Sequence, residues 1–134
     1  MTTKHTPQAV TGVTAHLTLA DANAAVELYT RAFGAEVLAR MPAEDGKRLM
    51  HCHLVINDGP LFLMDTFPEH GHSVEKPAGF VLHLQVNDAD AWFDRAVKAG
   101  CTATMPVQLM FWGDRYGQVH DPFGVLWSIG GPNR

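Results

Sequence analysis

Cysteine is scarce: Cys52 and Cys101 are the two cysteines of a 134-residue chain, and they lack CxxC spacing. That argues against a disulfide framework or a thiol zinc ribbon and suits reduced thiols buried as small hydrophobes. Basic charge is also in deficit, with 10 Lys and Arg against 14 Asp and Glu and a net charge of -4. No cluster exceeds isolated pairs such as Lys47-Arg48, so neither nucleic acid nor an anionic membrane is an expected partner. No run approaches the roughly 18 apolar residues of a membrane span. Met1-Thr-Thr-Lys-His-Thr-Pro7 has no apolar leader core, and the expected location is the cytoplasm. GxGxxG, GxxxxGK[ST] and a nucleophile elbow are all missing, which disfavours nucleotide cofactors and covalent serine catalysis.

What the chain does contain is a pattern written twice. Thr14-Ala-His-Leu-Thr-Leu-Ala-Asp21 returns as Val81-Leu-His-Leu-Gln-Val-Asn-Asp88. Each copy sets a histidine in an apolar alternation, the period-two signal of a strand, and ends on an aspartate suited to cap a helix. After Asp21, apolar residues recur every three or four positions through Phe33, where Gly34 stops the helix. Residues 36–40, 49–56 and 61–64 then read as strands separated by turn-formers. Residues 66–78 carry three breakers among polar residues and form a linker. The order restarts with a strand over residues 80–86, a helix over 89–99 ended by Gly100, and strands near 102–105, 110–119 and 125–129. The expected organisation is α+β: two βαβββ modules, residues 9–66 and 79–131, joined by residues 67–78 in one domain. With 46% hydrophobic residues the chain can build that core.

Tandem βαβββ units closed by Asp121-Pro-Phe-Gly-Val-Leu-Trp-Ser-Ile129 resemble the glyoxalase, bleomycin-resistance and extradiol-dioxygenase superfamily, also called vicinal oxygen chelate. Phe111-Trp-Gly-Asp-Arg-Tyr-Gly117, with Ala25-Val-Glu-Leu-Tyr-Thr-Arg-Ala-Phe-Gly-Ala35, looks like its PhnB-like branch. The resemblance implies curved, barrel-like mixed sheets around a small-molecule cavity, and a homodimer. In catalytic members it also implies a divalent metal held from the first and last strands. Carried over residue by residue, those ligand positions fall on Thr14, Val81, Ser128 and, in the first module, near Leu63 or Met64, with Asp65 the nearest carboxylate. None matches the family's ligand.

His16 and His83 lie two residues past the expected ligands and so share their sheet face. They are either cavity-lining residues or the start of a rearranged site for zinc, nickel, iron or manganese, which neutral imidazole can ligate. His51 and His53 share one strand face and would join His16 if that face lines the cavity. His70 and His72 sit in the linker as exposed side chains. Trp112, Arg115, Tyr116, Trp127 and Ser128 are candidate pocket residues, since guanidinium and aromatic groups together hold small polar molecules. The structural alternative makes Trp112 and Trp127 core, with Arg115 paired to Asp114 or Asp121. The leading expectation is a metal-free or weakly metal-binding module that holds a small molecule in the cavity between the βαβββ modules, without the usual metal site. The alternatives are a metal-dependent lyase, isomerase or dioxygenase with a rearranged histidine site, and a structural or regulatory partner.

Overall fold

The structure, a computed structural model, describes residues 12–71 and 76–133. His72 and residues 9–11 of the first expected module lie outside them. The described residues form two compact units, 12–30 with 34–71 and 31–33 with 76–133.

The first unit has β1 (His16–Leu19), all but the last three residues of α1 (Ala22–Phe33), β2 (Glu36–Pro42), β3 (Leu49–Ile56) and β4 (Gly59–Asp65), followed by a short 3₁₀ turn, Pro68–His70. The second has β5 (Leu82–Gln85), α2 (Ala89–Ala99), β6 (Thr102–Leu109), β7 (Asp114–His120) and β8 (Leu126–Pro132). Each unit is therefore βαβββ, as the repeat predicts. Their hydrogen bonding resolves into two four-stranded mixed sheets, ordered β1-β4-β3-β2 and β5-β8-β7-β6, with no closed barrel among the described residues. In both, the first strand runs parallel to the last, and the other neighbours are antiparallel.

Both helices start where an aspartate can satisfy an orphan amide. Asp21 Oδ1 accepts from Ala24 N at 3.1 Å and Asp88 Oδ1 from Ala91 N at 3.1 Å. Gly34 ends α1 in the left-handed region, at φ 68°. The stripe Ala22, Ala25, Val26, Leu28, Tyr29, Ala32 and Phe33 is buried, which is the helical period made physical. No helix among the described residues is long and apolar enough to cross a membrane.

Most strand limits differ from the sequence reading by one to four residues, and three of the differences are instructive. The alternation of the first copy starts at Thr14, but the first strand begins at His16. The strand expected over 102–105 continues to Leu109, past Pro106, with its pairing to β7 shifted between Met105 and Gln108. Proline cannot donate to the ladder, and the irregularity absorbs it at the sheet edge. The strand expected from residue 110 begins at Asp114. Residues 110–113 are a turn, in which Gly113 N donates to Met110 O at 3.0 Å, with Gly113 at φ 98°.

Candidate functional site

Strand alternation and register sort the candidate residues onto faces. In the second unit His83, Ser128 and Gln118 are aligned partners across β5, β8 and β7, and Gln85, Gly130 and Tyr116 form the next row of the same face. His83 Nε2 lies 2.8 Å from Gln85 Oε1, and His83 Nδ1 lies 2.7 Å from Ser128 Oγ. An amide oxygen only accepts, so Nε2 donates to Gln85, and in the neutral ring Nδ1 then accepts from the Ser128 hydroxyl. Tyr116 stacks on the imidazole, with centroids 6.0 Å apart and 16° between planes. Gln118 Nε2 donates to the Tyr116 hydroxyl at 3.0 Å, and Trp112 meets Tyr116 edge-on at 5.8 Å. Gly130 makes the arrangement possible, because a Cβ there would lie 3.0 Å from His83 Cε1.

Arg115 and Trp127 are not part of this group. Adjacent strand residues face opposite ways, and Arg115 emerges on the α2 side of the sheet. There it forms a two-pronged pair with Asp90, Nε to Oδ2 at 2.7 Å and Nη2 to Oδ1 at 3.0 Å. The sequence reading offered Asp114 or Asp121 as its partner; the structure shows Asp90. Asp121 is instead committed to its own turn. Its Oδ1 accepts from Phe123 N at 2.9 Å and Val125 N at 3.0 Å, and its Oδ2 accepts from Trp127 Nε1 at 3.0 Å. Trp127 is a core residue, 2% exposed, packed on Phe33 with centroids 4.5 Å apart.

In the first unit, register aligns His16, Phe62, His53 and Ala39 in one row, so the imidazoles of His16, His51 and His53 share a face around Phe62. The Phe62 ring is 5.0 Å from His51, 4.8 Å from His53 and 6.2 Å from His16, while His16 and His51 are 6.2 Å apart. Burial, with the charge of His51 as a smaller cause, pushes the His16 and His53 imidazoles below their usual range. The register also corrects an equivalence. His16 pairs with Phe62 and His83 with Ser128, so Phe62, rather than Leu63 or Met64, is the counterpart of Ser128. The slip is one residue: Phe62 is three positions past Gly59, and Ser128 is four past Gly124.

The family's divalent metal does not fit these residues. Thr14 offers a hydroxyl whose Oγ1 is buried with no hydrogen-bond partner among the described residues. Val81 offers no donor, and Ser128 is held by His83. Asp65 is 4% exposed, with Oδ1 taken by Ala22 N at 2.8 Å and Oδ2 by Leu49 N at 2.6 Å. His83 has both ring nitrogens engaged. No three His, Cys, Asp or Glu side chains among the described residues are placed to hold a metal together.

Neither cysteine is placed as a nucleophile. Burial pushes both thiols up, Cys101 to about 11 with the Asp121 charge adding to it. A thiolate is the reactive form. Native protein should leave both cysteines unlabelled by Ellman's reagent at pH 8, with labelling of both on denaturation. Stoichiometric native labelling would overturn the assignment.

Sequence reasoning missed Gln85, although a residue two positions past His83 must share its face. It also missed a cavity of about 600 Å³ in the first unit, lined around Arg48 and Phe67. The Glu69 carboxylate that completes it lies 21 residues from Arg48, and no local signal links them.

A model of the Glyoxalase/Bleomycin resistance protein/Dioxygenase superfamily matches residues 11–129. The chain is 42% identical over 125 residues to the uncharacterized protein Rv0887c of Mycobacterium tuberculosis, covering 89% of this chain and 73% of that protein. Among solved structures, TioX from Micromonospora sp. ML1 matches with a TM-score of 0.72 at 28% identity, covering 92% of this chain and 98% of that one. The PhnB protein of Bacillus cereus, described as a putative 3-demethylubiquinone-9 3-methyltransferase, shares the fold at a TM-score of 0.70 and 16% identity, over 90% and 99% of the two chains.

Proposed function

The chain belongs to the glyoxalase/bleomycin resistance protein/dioxygenase superfamily, and we propose that within it the protein binds a small, uncharged, planar molecule on the His83–Tyr116 face without using a metal. The observation that carries this reading is the engagement of both His83 nitrogens, by Gln85 and Ser128, beneath the Tyr116 ring. A histidine held in this way is a fixed polar surface rather than a free ligand. The face presents amides, hydroxyls and aromatic rings, and Arg115, the neighbour of Tyr116 on β7, is turned away onto Asp90. That composition favours hydrogen bonding and stacking over capture of a carboxylate or phosphate. Tyr116 accepts from Gln118 and keeps its own O–H for a ligand. The same reading takes the protein to act as a cytoplasmic homodimer, as its family resemblance implies.

The test is a thermal-shift screen of neutral planar compounds beside carboxylated analogues, with Trp112 fluorescence as second readout. Neutral compounds should stabilise the protein equally with and without EDTA. Tyr116→Ala should abolish their effect, and Ser128→Ala should weaken binding about fivefold, the weight of one net hydrogen bond. Binding that requires an added divalent metal, or that survives Tyr116→Ala unchanged, sinks the proposal.

A further inference from the structure

The cavity of about 600 Å³ in the first unit lies at the end of its sheet, where the β2–β3 turn meets the segment after β4, and shares no lining residue with the His83–Tyr116 face. Its size falls within the range of small-molecule sites. Met50, Met64 and Phe67 supply apolar lining, and thioethers adapt to irregular ligands. Glu44, Asp45 and Glu69 supply carboxylates around a single guanidinium, Arg48, and the His70 imidazole.

The state of Arg48 decides the sign of the ligand. Its Nε donates to Asp45 Oδ2 at 2.7 Å, its Nη2 to Glu69 Oε2 at 2.6 Å, and its Nη1 to Glu69 Oε1 at 3.2 Å and to the Thr66 carbonyl at 3.4 Å. The guanidinium carbon sits 4.3 Å from the centroid of the Phe67 ring. Four of its five N–H donors are therefore committed, and its charge is shared by two carboxylates. The turn is built to hold this geometry: Asp45 Oδ1 accepts from Lys47 N at 2.9 Å and Arg48 N at 3.0 Å. Those amides and the guanidinium hold Asp45 at about 2, and Arg48 holds Glu69 at about 2, so both stay ionised at neutral pH. Glu44 is exposed and has no ion pair among the described residues. An entering anion meets three carboxylates against an occupied arginine and one imidazole, His70; an entering cation meets the Glu44 carboxylate beside an apolar floor. The thioether and phenyl lining offers little to a bare metal ion, whose hard chemistry asks for oxygens.

We propose that this cavity binds an organic cation with an apolar body, its charge directed to Glu44 and its body laid against Met50, Met64 and Phe67. The test uses two probes of one shape and opposite charge, tetraphenylphosphonium and tetraphenylborate, with full-length protein carrying ¹³C-labelled methionine methyls. The phosphonium should move the Met50 and Met64 methyl signals saturably and bind at least about tenfold more tightly than the borate. Glu44→Gln, at an exposed position that leaves the fold intact, should weaken the phosphonium about fivefold. Tyr116→Ala should change nothing. Equal binding of the borate, indifference to Glu44→Gln, or shifts at Met105 and Met110 in place of Met50 and Met64 would each overturn the proposal.

Discussion

Replacing Asp121 with alanine should lower the unfolding free energy by about 4 kcal/mol, measured by urea denaturation. The carboxylate is 5% exposed and accepts from two backbone amides and the Trp127 indole. Removing it leaves Phe123 N, Val125 N and Trp127 Nε1 without that acceptor, and Trp127 and Val125 are buried where water cannot replace it. A hydrogen bond to a charged acceptor contributes about 1.5–3 kcal/mol, and an orphaned buried donor costs about 1–3 kcal/mol. The cost of desolvating the carboxylate offsets part of the sum. Asp121→Asn keeps an acceptor for the turn amides but cannot serve both them and the indole with oxygen alone, so it should fall between. A loss under about 1 kcal/mol for the alanine variant would mean the turn and Trp127 are held by packing alone.

The turn that Asp121 anchors shows how much of this protein could be read from its residues. Asp121-Pro-Phe-Gly and the two capping aspartates are local devices, so the helices and their limits followed from sequence. The site divided differently. His83, Ser128 and Tyr116 share a face because β5, β8 and β7 pair in one register, and register is set by the hydrophobic pattern and turn geometry of the whole sheet rather than by any single residue. Arg115 was legible in principle, since its neighbour Tyr116 on a strand must face the other way. Its partner Asp90 lies 25 residues away, on a helix whose placement no local pattern gives. The same holds for Arg48 and Glu69, so the first unit's cavity emerged only from three-dimensional contact. Residue identity, by contrast, was already in the sequence: Thr14, Val81 and Ser128 stand at the family's ligand positions, whereas the hydrogen bonds that engage His83 and Asp65 came only from the geometry.

Asp65 has a counterpart in the second unit that tests how exact the repeat is. Aligning His16 with His83 carries Phe62 to Ser128 and therefore Asp65 to Gly131. In the first unit the side chain at this position reaches Ala22 N at the start of α1. In the second it is absent: a Cβ on Gly131 would overlap the Val86 carbonyl oxygen and stand 3.6 Å from Ala89 N, at the start of α2. One unit fills the space before its helix with a carboxylate, and the other closes it with backbone. Gly131→Ala should lower the melting temperature by about 10 °C, from an overpacking cost of about 3 kcal/mol that backbone atoms cannot relieve by changing rotamer. Gly131 lacks the positive φ that disfavours other residues, so the effect isolates the collision. Gly46→Ala provides the contrast, since Gly46 has φ 69° but nothing within 4 Å of the added Cβ, and its cost should stay near 1 kcal/mol. If the two variants melt together, the close approach of β8 to the Val86–Ala89 segment is not what fixes the start of α2.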